Sequence, residues 1–165
     1  MGWYDNIKAY VWDDRTTPYL VPVPRLARPQ ADKELQVYTI FLTIVFAAGS
    51  IVALALAKSQ HNPLFYLAAL HGVSIVWCAI YLAFTKHAAA ARYAVSAPLA
   101  GLAGFATGTL NPRLQPIETV LLVVFCVLWL WYALRVLAIV RAYPHLRPDL
   151  PPDLPPGPPS PRLRP

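Results

Sequence analysis

The chain is 165 residues long, 57% hydrophobic and only 13% charged, with a formal net charge of +6. Nearly all of its apolar mass lies in four runs, which leaves no segment able to build a separate soluble core. The basic surplus is dispersed rather than clustered, so it does not point to nucleic acid. Two cysteines, Cys78 and Cys126, cannot make a disulfide framework or a zinc site.

Residues 1–34 form an N-terminal arm holding five Lys/Arg against five Asp/Glu, and they lack the apolar stretch of a cleavable signal peptide. Trp3, Tyr4, Ile7, Tyr10 and Val11 recur at intervals of three and four. That spacing predicts an amphipathic helix over 2–13, lying in the membrane interface or folded onto the ends of a helical bundle. Prolines at 18, 22, 24 and 29 then predict an extended connector over 16–30.

The apolar runs 35–57, 64–85, 93–110 and 117–140 are 23, 22, 18 and 24 residues long. About 20 apolar residues cross ~30 Å of hydrocarbon as a helix, and only a helix satisfies its own backbone there. The third run is short, rich in Ala and Gly, and carries Pro98. The turns at 58–63, 86–92 and 111–116 are short enough to make successive helices antiparallel neighbours. The expected fold class is therefore an all-α integral membrane protein whose domain, 35–143, is an antiparallel four-helix transmembrane bundle.

Basic residues set the expected orientation. With four crossings, one side receives Lys8, Arg15, Arg25, Arg28, Lys33, Lys86, Arg92, Arg135, Arg141, Arg147, Arg162 and Arg164, and the other only Lys58 and Arg113. The positive-inside rule then puts both termini in the cytoplasm. Arg outnumbers Lys ten to four amid abundant Ala and Pro, a composition that suggests a GC-rich bacterial genome and hence a bacterial inner membrane. The tail, 144–165, contains ten prolines and repeats Asp149-Leu-Pro-Pro as Asp153-Leu-Pro-Pro. It is expected to be a disordered, polyproline-leaning cytoplasmic extension, with a PxxP spacing from Pro158 to Pro161 that is nearly unavoidable at this proline content.

Within the runs, polar groups mark the candidate sites. His71, Ser74, Cys78, Tyr81 and Thr85 recur every three or four residues as one stripe, and Gln36, Thr39, Thr43 and Ser50 form a weaker one on the first run. At 1.5 Å per residue, His71 lies roughly 10 Å from the outer boundary and is the one ionisable group well inside. The structural reading of the stripe is a set of hydrogen bonds joining the first two helices; the functional reading is a cofactor-binding seam or proton path built on His71. Ala97, Ala100, Gly101, Gly104 and Gly108 form a small-residue seam that suits close helix packing, within the chain or in a homodimer. Phe125, Trp129 and Tyr132 share a face beside Trp131, as an aromatic belt at the inner interface would. Glu118 and Arg135 sit at opposite rims, where each is expected to snorkel to water.

These residues assemble no nucleophile, base and acid at one depth, and no HExxH, GxSxG or phosphate loop is present. No metal or cofactor is called for, and no enzyme activity is expected. The class expected is a non-catalytic accessory subunit, scaffold or assembly factor, in contact with the bilayer and with other membrane subunits or a second copy, and not with nucleic acid. The alternatives are a haem- or quinone-binding redox subunit using His71, and a small-solute transporter. Against transport, no Asp or Glu lies between Leu35 and Ile117. Haem with two axial histidines would need a second imidazole, such as His71 of a second copy.

Overall fold

The computed structural model describes residues 22–106 and 115–148. Among these it is helical throughout, with no strand beyond one isolated bridge between Ala27 and Arg147. The elements are α1 (Arg28–Gln60), α2 (Pro63–Thr85), α3 (Ala88–Ala94), α4 (Ser96–Ala106) and α5 (Pro116–Ala142). Short 3-10 turns lie at Val23–Arg25 and Tyr143–His145. α1, α2 and the α5 segment are long and apolar enough to cross a membrane. The expected interfacial helix over 2–13 and residues 149–165 of the tail lie outside the described residues.

Local chemistry explains the boundaries. α1 starts at Arg28, earlier than the apolar run and inside the stretch that its prolines mark as extended connector. Pro29 falls in its first turn, where a missing N–H has no intrahelical partner to lose. The Gln30 side-chain oxygen accepts the Ala27 N–H at 3.0 Å. α1 ends at His61, a left-handed residue with φ 52°, and Asn62 caps α2 by accepting the Leu64 N–H at 3.0 Å. Only His61 and Asn62 separate these two helices, and Lys86 and His87 alone separate α2 from α3. Both turns are tighter than the six- and seven-residue turns expected, because helix extends into their flanks.

The third apolar run is not one continuous helix. It breaks at Val95, three residues before Pro98. Pro98 has no N–H to offer the Ala94 carbonyl, and its ring crowds that carbonyl. The Val95 N–H bonds instead to the Arg92 carbonyl at 3.2 Å, a tightened turn that divides α3 from α4.

The core gathers where α1 begins, α2 ends and α5 ends. Leu35, Leu42, Ile75, Leu82, Val136 and Ile139 are each 1% exposed or less. Ala90, Ala91 and Ala94 of α3 join them, and their small side chains let α3 lie close against α2 and α5. Residue pairs in contact run in opposite chain directions: Asp32 with Lys86 and Ser50 with Ala69 between α1 and α2, and Glu34 with Arg135 and Tyr38 with Tyr132 between α1 and α5. The two ends of the described chain also meet. The Arg28 N–H donates to the Arg147 carbonyl at 2.9 Å, and the Arg28 guanidinium reaches the Pro144 carbonyl at 3.2 Å. Residues 144–147, expected to belong to a disordered tail, are thus bound to the start of α1.

Candidate functional site

His71 lies in the N-terminal half of α2, where α1 approaches closely. Gly72 permits that approach: a Cβ there would collide with the Ser50 hydroxyl and lie 3.3 Å from the Phe46 carbonyl. Ser50 donates to the Phe46 carbonyl at 2.7 Å within its own helix and lies 3.3 Å from the Ala69 carbonyl of α2. The His71 ring stands edge-on to Phe46 and Tyr93, with centroids 6.3 and 6.2 Å away. Its Nε2 is buried and has no hydrogen-bond partner among the described residues.

The predicted stripe separates into two parts. Ser74 donates to the His71 carbonyl at 2.7 Å and shares a 2.6 Å hydrogen bond with the Tyr93 hydroxyl of α3. The Cys78 thiol reaches the Ala90 carbonyl of α3 at 3.0 Å. Tyr81 and Thr85 instead lie on the outer surface, where Thr85 donates to the Tyr81 carbonyl at 2.8 Å and the Tyr81 ring faces His87 at 6.2 Å. Through Ser74 and Cys78 the stripe hydrogen-bonds to α3, while His71 packs against Phe46 of α1. Polar contacts between the first two helices come from Ser50, at the Ala69 carbonyl, and from Asp32, at Lys86. On α1, Thr39 and Thr43 bond only to carbonyls of their own helix.

In the small-residue seam, Ala97 is buried, Ala100 is exposed, and Gly104 is partly buried. Gly101 faces α5, where an added Cβ would come 3.1 Å from the Cys126 sulfur. Gly108 lies outside the described residues. The seam thus contacts this chain's own α5 at Gly101. Both cysteines are free thiols.

A second polar centre escapes the sequence pattern. Arg135 does not reach out to water. Its Nε donates to Glu34 Oε1 at 2.6 Å and its Nη2 to Oε2 at 3.1 Å, with the Glu34 side chain 0% exposed and that of Arg135 11%. Nearby, Asp32 accepts the Tyr143 hydroxyl at 2.9 Å and faces Lys86 Nζ at 3.4 Å. Glu34 lies one residue outside the apolar run, so a search for carboxylates within the runs passes over it.

Between these centres lies an aromatic column. Trp129 packs against Phe41, Phe46 and Phe125 at centroid distances of 5.5, 5.9 and 5.7 Å, and Tyr132 against Tyr38 at 5.6 Å. Two of the rings assigned to an interfacial belt, Trp129 and Tyr132, therefore join α5 to α1. The Tyr38 hydroxyl and Trp129 Nε1 are both buried. Among those residues, no three His, Cys, Asp or Glu side chains gather in a way that could hold a metal ion. Compared with family models, with curated proteins and with solved structures, the chain matches none.

Proposed function

We propose that this chain is a polytopic integral membrane protein, crossing a bacterial inner membrane four times with both termini in the cytoplasm. α3 and α4 together form the third crossing of an antiparallel bundle. Its role is that of a non-catalytic accessory subunit, scaffold or assembly factor that packs against other membrane components. The observation that carries this reading is an inside-out distribution of polarity. Ile44, Ile51, Leu70, Trp77, Phe84 and Leu121 are 64–81% exposed along α1, α2 and α5, whereas Glu34 is fully buried in an ion pair. Water would penalise so large an apolar surface, and hydrocarbon does not. The charged groups of the inner cluster are engaged with one another, which suits holding a shape better than turning over a substrate.

The test is purification in mild detergent, followed by identification of what remains bound. Stoichiometric recovery with a larger membrane complex is the expected result. Substrate flux by the isolated protein in vesicles would overturn the reading.

One observation favours a second reading, that of a haem- or quinone-binding subunit. His71 Nε2 is a buried nitrogen without a partner among the described residues. A Soret band or a co-purified quinone that is lost in His71→Leu would establish it.

A further inference from the structure

The Ala27–Arg147 bridge ties the segment before α1 to the segment after α5. Each segment buries a leucine in the core, Leu26 at 1% exposure and Leu146 at 6%. Beside them Arg25 and Arg147 are exposed, as is Arg141 in the last turn of α5.

Several cations at this end are already taken. The Arg28 guanidinium is bonded to the Pro144 carbonyl, Lys86 to Asp32, and Arg135 to Glu34. Arg25, Arg141 and Arg147 differ, because their guanidiniums make no hydrogen bond or ion pair among the described residues. Asp32 and Glu34, the described carboxylates of this end, are both engaged, so neither neutralises them.

Their level along the helices is also set. The Val23–Arg25 turn lies against α5. Arg141 directly follows Val140, the last residue of the apolar run 117–140. Headgroups form a layer about 5–7 Å deep on each side of the hydrocarbon, within reach of a flexible arginine. A guanidinium fork also matches the oxygens of a phosphate better than an ammonium does.

We infer that Arg25, Arg141 and Arg147 form an interfacial site for the phosphodiester headgroup of an anionic phospholipid. This rests on the membrane reading above and names a lipid partner for it. Free cations at the rim of an apolar run favour lipid over an acidic protein segment, because the headgroup is already at that level. A zwitterionic lipid presents the same phosphate but carries its own cation, so it gains less here.

The experiment is native mass spectrometry of the full chain released from vesicles of phosphatidylglycerol mixed equally with phosphatidylcholine. Preferential retention of phosphatidylglycerol is expected. Arg147→Gln should lower that preference about fivefold, as for one basic residue near an anionic surface. The triple variant Arg25→Gln/Arg141→Gln/Arg147→Gln should remove it, whereas the same three positions changed to lysine keep the charge and should keep most of it. Lys58→Gln, at the far end of α1, should leave it unchanged. Equal retention of both lipids by the unaltered chain, or an undiminished preference in the glutamine variants, would overturn the site. So would an acidic protein that occupies these arginines and excludes the lipid. Alkaline carbonate separates the two claims: a protein that stays in the membrane pellet but shows no lipid preference loses only this site. One stripped into the supernatant loses the bilayer reading and the site together.

Discussion

Arg135 grips Glu34 with both arms of its guanidinium fork across 101 residues of sequence, at 2.6 and 3.1 Å. The pair ties the first turns of α1 to the last turns of α5. A bidentate carboxylate contact satisfies charge and geometry together. Without it, an unpaired carboxylate would be left fully desolvated.

Removing one partner should therefore cost far more than removing both. Arg135→Leu is expected to destabilise by about 3–5 kcal/mol, because Glu34 remains buried and uncompensated. The double variant Glu34→Leu/Arg135→Leu should recover most of that loss. Thermal unfolding of all four members of the cycle in one detergent measures it. Simple additivity of the two single losses would show that the groups do not act as a pair.

Gly72 sets the spacing between α1 and α2. Gly72→Ala should lose about 1–3 kcal/mol through overpacking against Ser50 and the Phe46 carbonyl. Adding Ser50→Ala should restore part of it, since the closest clash is with the hydroxyl. Gly49 is the control, because a methyl group added there would meet nothing within 4 Å. Gly49→Ala should leave the melting temperature unchanged or raise it, given the helix preference for alanine.

His71→Leu should fold with a stability change within about 1 kcal/mol, because the Nε2 it removes makes no bond to the described residues. This is below the ~1–2 kcal/mol that an interhelical hydrogen bond through the imidazole would imply. Chemical denaturation in detergent checks the stability. Loss of a bound chromophore with the fold intact would assign His71 to a ligand.

Topology gives a separate test. The Arg28 N–H and the Arg147 carbonyl are 2.9 Å apart, so reporters fused just before residue 22 and just after residue 148 should read out on the same side of the membrane. Opposite readings would require an odd number of crossings. The four-crossing arrangement and every depth assigned from it would then fail.

The positions of the helices were legible because hydropathy acts locally: a run of apolar residues has few alternatives once it must satisfy its own backbone. Their ends were less so. The prolines before α1 look like breakers, although Pro29 in a first turn is compatible with helix. Pro98 marks the third run as unusual, but the position of the break depends on which carbonyl loses its donor. The polar stripe on α2 is visible as spacing, while its partner is not, since Ser74 and Cys78 reach α3 rather than α1.

From the sequence alone followed the helical class and three helices long and apolar enough to cross a membrane, because each depends on what a residue prefers in water or in hydrocarbon. Only the tertiary structure decided that Arg135 turns inward to Glu34, that Trp129 and Tyr132 face α1, and that Ala27 lies beside Arg147. Those outcomes depend on which helix faces stand opposite one another. That choice is made by packing between segments far apart in the chain, where local preference is silent.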